Sequence, residues 1–292
     1  MIISHIIGGI GNQMFQYAVG KACAEARRVE LKLDIADFSR YHIHQGFELE
    51  RVFLGQANYA NKAEVSQMLG WRSTSLARRV VRRSGLTWLR GNKLVAEPHF
   101  GYWPGISGVG DNSYLTGNWQ SEKYFKAIEL SLRQDFTFRA PVQGENETLI
   151  EEMQDSCAIS LHIRRGDYVS NKRANAMHGL SSMAYYQRAI DHVAANVENP
   201  HFYIFSDDMS WVNANFKLPF PHRFVTHNSG TESYNDMRLM SSCRHHIIAN
   251  SSFSWWGAWL NDRHGKIVVA PRHWFASGMD VSDLFCSGWV IL

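Results

Sequence analysis

Two rhythms of apolar residues run along this chain. Near the start, "IISHII" is a short apolar run; after "GGIGNQ", Phe15, Ala18, Val19, Ala22 and Ala26 recur at helical spacing. A further run, "VELKLDI", completes a predicted β-α-β unit. Residues 36–120 mix loops and aromatics, and the pattern predicts only a helix near 62–69 and a strand "YLTGNW". A helix over "SEKYFKAIELSLRQDF" then leads to the polar stretch "PVQGENET", read as a linker between domains.

The second half is more regular. Apolar runs "CAISLHI", "HFYIF", "HRFV", "HHIIA" and "KIVVA" alternate with helical patterns. The clearest helix is "SSMAYYQRAIDHVAANV", with a serine cap and Tyr186, Ile190, Val193 and Val197 on one face. Continuous apolar strands alternating with helices predict a parallel sheet covered on both sides. There is no internal repeat and no low-complexity tract.

Composition narrows this picture. A chain of 292 residues fits two domains, and 45% hydrophobic residues with ten tryptophans predict packed cores with aromatics to spare for a cleft. The net charge of +3 is too small for nucleic acid as main partner. Cys23, Cys157, Cys243 and Cys286 lie far apart without a Cys-x-x-Cys pair, which argues against zinc and a disulfide framework. The start "MIISHIIGGIG" lacks the pattern of a signal peptide, and no stretch approaches a membrane span. The expectation is a soluble, cytoplasmic protein.

Each strand of the second half is followed at once by a polar cluster: "RRGDY", "SDD", "THNSG" and "NSSFSWW". In open α/β sheets the ligand binds beyond the carboxyl ends of the strands, so these clusters converge on one rim. Arg164 and Arg165 offer planar forks for phosphate oxygens. Ser251, Ser252 and Ser254 lead into the helical "WWGAWLND", where hydroxyls and first-turn amides meet a phosphate. Asp207 and Asp208 either hold a metal with a diphosphate or accept bonds from ribose hydroxyls and a base edge. A nucleoside diphosphate satisfies all these groups. "GGIGNQ" either brings backbone close to a ligand or is simply a tight strand-to-helix turn.

With "GGIGNQMFQYA", "HIRRGDY", "YYQRAI", "FSDD" and "IIANSSFSWWGAWL" in this order along nearly the whole chain, the sequence resembles the α-1,2-fucosyltransferases. The resemblance implies an α/β, GT-B-like fold: two Rossmann-like domains facing a cleft. Residues 1–140 would form the acceptor-side domain and 141–292 the GDP-fucose-binding domain, the last segment being a candidate to pack back on the first. It implies transfer of L-fucose from GDP-fucose to the 2-hydroxyl of a terminal galactose, with inversion, no metal and no cofactor beyond the GDP-fucose substrate. The acceptor would be a galactose-terminated oligosaccharide or lipid-linked glycan, as in O-antigen or oligosaccharide biosynthesis. Donor contacts would come from Gly9, Gly11, Asn12 and Gln13 near the start and from His162, Ser206, Asp207 and Asp208 in the middle. Asn250, Ser251, Ser252, Phe253 and Ser254 complete that set.

Loss of GDP develops negative charge on the β-phosphate, which Arg164 and Arg165 are placed to neutralise. The acceptor hydroxyl needs a base. Asp167 and His178 are the candidates nearest in sequence. Asp167 beside two arginines would be a weak proton acceptor, so His178 is the preferred base or acceptor-positioning group, with Asp167 holding the arginines.

Two rivals remain. "GGIGNQM" with Asp34 imitates a dinucleotide fingerprint but puts Met14 where the third glycine belongs, which weakens an NAD-dependent oxidoreductase. A noncatalytic sugar-binding protein accounts for the tryptophans but not for the paired arginines. Finally, Arg72, Arg78, Arg79, Arg82, Arg83, Arg90 and Lys93 lie between Glu64 and Glu97 with no acid among them. On a helix, Arg78, Arg79, Arg82 and Arg83 share a face opposite Leu76, Val80 and Val81. The segment 72–93 is read either as a solvated helix of the acceptor domain or as a peripheral contact with the inner face of an anionic membrane.

Overall fold

The computed structural model describes residues 1–39, 45–81, 89–166 and 179–292, with the backbone alone at 75, 79 and 81. The chain divides into two compact units, Met1–Arg139 with Ser282–Leu284 and Ala140–Val281 with Phe285–Leu292.

The first unit runs β1 (Ile2–His5), α1 (Ile10–Arg27), β2 (Leu31–Asp34), α2 (Leu49–Val52), β3 (Asn58–Tyr59), α3 (Lys62–Leu69), α4 (Ser75–Val81), β4 (Leu94–Ala96), β5 (Ser113–Thr116) and α5 (Glu129–Asp135). Its five strands pair in parallel in the order β3-β2-β1-β5-β4. Every residue of β1 and β5 is buried, as a sheet covered on both faces requires. Gly8 lets the chain turn from β1 into α1 at φ +90, where a Cβ would also stand 2.9 Å from the Asn12 amide nitrogen. α3 starts on a capping box in which Asn61 and Glu64 exchange side-chain and backbone hydrogen bonds.

A buried polar triad ties β2 to β5 and α4. Asp34, 2% exposed, accepts from Arg78 Nη1 at 2.9 Å and from the Tyr114 hydroxyl at 2.6 Å, while Arg78 also donates to that hydroxyl. Burial alone would raise the Asp34 carboxyl; the bonds from Tyr114, Arg78 and the Ala36 amide hold it below the ordinary range. This reverses the amphipathic reading at Leu76, Arg78 and Val80; the side chains of Arg79 and Val81, and Arg82 and Arg83, lie outside the described residues. Arg78 turns inward to a buried carboxylate, whereas Leu76 and Val80 are exposed. Pairing inside a protein outranks the surface preference of a lone arginine.

The second unit runs α6 (Glu145–Gln154), β6 (Cys157–Ile163), α7 (Met183–Asn196), β7 (Pro200–Ser206), α8 (Met209–Asn215), β8 (His222–Phe224), α9 (Tyr234–Ser242), β9 (His245–Ile247), α10 (Ser252–Leu260), β10 (Val268–Ala270) and β11 (Val290–Ile291). The six strands are parallel in the order β8-β7-β6-β9-β10-β11, that of a dinucleotide-binding sheet. On one face Ile159, Leu161 and Ile163 meet Tyr186, Ile190 and Val193 of α7. On the other, Ala158 and Phe205 meet Leu149 and Met153 of α6 and Leu239 of α9. Both units are Rossmann-like, and the α/β, GT-B-like class expected from the sequence stands.

Two predicted elements change. The helix over 121–136 breaks into two 3-10 turns, Glu122–Tyr124 and Lys126–Ile128, before α5, because Phe125 leaves helical geometry at φ −134. Half of the expected linker is helix: α6 starts at Glu145, behind Gly144 at φ 60.

Arg78→Met leaves Asp34 buried without its cation and should cost about 3–5 kcal/mol, whereas Tyr114→Phe removes one neutral donor at about 1 kcal/mol. Urea unfolding measures both; a loss below about 1 kcal/mol for Arg78→Met would remove the triad from the account of this unit.

Candidate active site

In the second unit the chain runs outward through β6, β7 and β8 and returns on the other side of β6 to form β9. The loops after β6 and β9 therefore part at the carboxyl edge, and the crevice between them is where open α/β sheets hold ligands.

The loop after β6 carries Arg164 and Arg165, and the loop after β7 carries Asp207 and Asp208. Each carboxylate takes one arginine. Arg164 Nη1 lies 3.0 Å from Asp207 Oδ2, and Arg165 Nε lies 3.5 Å from Asp208 Oδ2. Asp207 Oδ1 also accepts from the Arg165 amide at 2.8 Å. Gly166 lies against this carboxylate: a Cβ there would stand 2.7 Å from Asp207 Oδ2. Asp208 caps α8 by accepting from Trp211 N at 3.2 Å, and its own amide donates to Ser206 Oγ. That cap delivers the Trp211 ring to Arg165, whose guanidinium carbon stands 3.5 Å from the ring centroid. The arginines are thus held in place by carboxylates that remain 24% and 31% exposed.

His162, two residues earlier, is a buried strand residue whose ring lies 6.1 Å from that of Phe253. Burial pushes its imidazole down to about 4, with Asp207 opposing and Arg164 adding to the shift. Its Nδ1 is buried without a hydrogen-bond partner among the described residues, as is Arg165 Nε. Arg165 Nε still has its ion pair with Asp208, so His162 Nδ1 is the buried polar atom here that a polar ligand would satisfy.

At the end of β9, Asn250 is 1% exposed; its amide donates to the Gly179 and Trp274 carbonyls, and Ser181 Oγ donates to its oxygen. Tyr185 of α7 clasps the same strand ends through the Ile248 and Val269 carbonyls. Ser251 is the N-cap of α10, accepting from the Phe253 amide, and Ser254 Oγ donates back to the Ser251 carbonyl. Ser252 opens the helix. The amino end of α10 therefore stands at the rim, across the switch point from the arginines, and favours an anion by its dipole.

At the β8 end, His227 and Asn228 bond the Asn146 side chain of α6, and Asn228 also donates to Asp236 at 2.8 Å. Burial pushes Asp236 up to about 7 despite that bond. A separate cavity of about 940 Å³ opens at the opposite, amino ends of the strands, lined by Cys157, His201 and His245.

Gly9, Gly11, Asn12 and Gln13 lie in the first unit, at the carboxyl rim of its own sheet. Gly9 is the N-cap of α1. The Gln13 amide, fully buried, donates to the Gly8 and Gly46 carbonyls and accepts from the Glu48 amide. Asn12 accepts from Gln120 at 2.7 Å. Gln16, which drew no attention in the sequence, accepts from the Ile7 amide and donates to the Gly117 carbonyl, bracing the loops after β1 and β5. The dinucleotide rival loses its acid, since Asp34 is buried in the triad with Arg78 and Tyr114. Asp167 and His178 lie outside the described residues. Among the described residues no group of three or more His, Cys, Asp or Glu is arranged to hold a metal. Trp211, which stacks on Arg165, was not marked in the sequence; the helix cap at "SDDMSW" is the signal that could have found it.

The profile of glycosyl transferase family 11 matches residues 105–292. The chain is 34% identical to an α-1,2-colitosyltransferase of Escherichia coli over 94% of this chain and 92% of that one. It is 33% identical to the O-antigen biosynthesis glycosyltransferase WbnK of Escherichia coli, covering 99% of each. Among solved structures, the NodZ α-1,6-fucosyltransferase soaked with GDP-fucose matches with TM-score 0.52 at 15% identity, over 89% of this chain and 91% of that one.

The buried His162 gives the site a pH signature. Neutral when folded but protonating near its ordinary value when unfolded, it makes the unfolded chain bind more protons, so stability falls as pH drops from 6.5 toward 4. Between pH 8 and pH 5 this removes about 2 kcal/mol. In urea unfolding, His162→Gln should lose less stability than the wild-type protein over that range. Equal losses in the two proteins would mean that His162 is not held neutral.

Proposed function

Because this chain belongs to glycosyl transferase family 11, we propose that it is an inverting galactoside α-1,2-fucosyltransferase. It takes L-fucose from GDP-fucose to the 2-hydroxyl of a terminal galactose on an oligosaccharide or lipid-linked glycan. The observation that carries this reading is the arginine pair at the β6 end, across the switch point from the amino end of α10, with His162 Nδ1 beside it buried and without a hydrogen-bond partner among the described residues. A diphosphate answers both features, and the carboxylates keep the guanidinium groups oriented before it arrives.

The step breaks the bond between the fucose anomeric carbon and the β-phosphate oxygen as the galactose 2-oxygen attacks from the opposite face. The acceptor proton passes to a base, and GDP departs with the bonding electrons. Arg164 and Arg165 stabilise the charge that grows on the β-phosphate. His178 is the proposed base or acceptor-positioning group, and Asp167 the group that steadies the arginines. Since Asp207 and Asp208 each engage an arginine, the reading is metal-independent: the arginines supply the positive charge. A second reading rests on the α-1,2-colitosyltransferase relative. Colitose is fucose without the 3-hydroxyl, so its GDP donor would present the same diphosphate to the same rim.

Arg164→Ala and Arg165→Ala should each lower turnover with GDP-fucose by about 10²–10³; near wild-type turnover in both would refute the donor-site assignment. Transfer should persist in excess EDTA, and a complete loss restored by added metal would contradict the metal-free reading. For the base, transfer and GDP-fucose hydrolysis are compared in His178→Ala and Asp167→Asn. His178→Ala should lose transfer while still binding GDP. The assignment fails if His178→Ala transfers normally while Asp167→Asn loses transfer and keeps GDP binding. Parallel assays with GDP-fucose and GDP-colitose on galactosides decide the sugar: preference for the second donor selects the second reading.

A further inference from the structure

In the first unit, Arg78 of α4 turns inward while Leu76 and Val80 of the same helix are exposed. Arg78 is 8% exposed against Asp34, whereas Leu76 and Val80, one helical turn apart, are 69% and 37% exposed. The preceding 3-10 turn, Gly70–Ser73, carries Trp71, itself 56% exposed. Three exposed large apolar side chains within ten residues of chain need a reason.

The charges around them supply it. Beside Trp71 opens a cavity of about 260 Å³ whose polar lining is Arg72, Arg90, Asn92 and Lys93. Arg72 closes one side: its Nε donates to the Leu89 carbonyl and its guanidinium lies 5.0 Å from the Trp71 ring centroid. From Glu64 to Glu97 the chain has seven Lys or Arg and no acid. The cavity is roomy enough for a phosphate ester, and its cations sit beside side chains that favour the boundary between water and hydrocarbon.

We infer that this surface docks on an anionic lipid bilayer, with Trp71, Leu76 and Val80 entering the interface and Arg72, Arg90 and Lys93 meeting lipid phosphates. An apolar partner alone would have no use for the cations, and a soluble anion none for the exposed Trp71 and Leu76. Both features together match an interfacial contact, in which apolar burial and attraction to anionic headgroups add. Tryptophan is also the side chain that settles best at headgroup level. The inference rests on the first unit and holds whether or not the proposed reaction is right.

The test is flotation of the full chain with phosphatidylcholine vesicles, with and without phosphatidylglycerol. Binding should require the anionic lipid and fall as salt is raised. Replacing Arg90→Gln and Lys93→Gln should weaken it roughly fivefold per charge, and Leu76→Ser or Trp71→Ser should weaken it at constant charge. Circular dichroism checks that each variant is folded. Equal binding to neutral vesicles, no binding, or binding unchanged in folded variants would each overturn the inference. So would a self-associated species in sedimentation equilibrium that Leu76→Ser dissolves without any vesicle binding, which would make a second copy the occupant. Saturable binding of inorganic phosphate at Arg90 and Lys93 without vesicle binding would instead assign a small-anion site.

Discussion

Two guanidinium groups at the end of a buried strand cannot stand without two counter-charges, and this constraint organises the second unit. β6 delivers Arg164 and Arg165 to the sheet edge, and its parallel neighbour β7, in register through Ile163 and Ser206, delivers Asp207 and Asp208 beside them. The register is what makes the pairing one to one. Partial exposure of both carboxylates means that they orient the arginines without burying them, so the cations are already in place for the proposed diphosphate. Preorganised charge of this kind needs no rearrangement at the moment of reaction. Asp208 adds a second effect: by capping α8 it holds the Trp211 ring beneath the Arg165 guanidinium. One short acidic motif therefore positions both arginines.

The first unit uses buried pairing for a different end. Asp34 occupies the place where a dinucleotide fold would keep its ribose acid, and Arg78 and Tyr114 close around it. Gln13 and Gln16, successive inward positions of α1, lock the loops that leave β1 and β5. The residues of "GGIGNQMFQ" thus fix the shape of this sheet edge through backbone bonds made by side-chain amides. With Arg78 held inward, α4 shows Leu76 and Val80 at its surface.

Much of the second unit was legible in the sequence because its strands are continuous apolar runs, each closed by a polar cluster. Ser182 caps α7 as expected, since an N-cap is a local choice of side chain and backbone, whereas α10 begins at Ser252 rather than at Trp255, with Ser251 as its cap. The first unit was less legible for physical reasons. β3 and β4 are two and three residues long, too short to display a period. The segment 121–136 has helical composition but is divided at Phe125, a fully buried ring placed by tertiary packing. Arg78 looked like a surface cation because its partner lies 44 residues earlier. Site residues such as Arg164 and Asp207 were visible by type, whereas the stack of Arg165 on Trp211 depends on where α8 begins.

The central claim is that the rim between β6 and β9 recognises a diphosphate. Calorimetric titration of the unmodified protein with GDP, GMP and guanosine tests it without any mutation. If Arg164, Arg165 and the amino end of α10 hold the diphosphate, GDP should bind well above GMP, guanosine should bind weakest, and the GDP advantage should shrink as salt is raised. Equal affinity for all three would place recognition in the nucleoside alone and contradict the account.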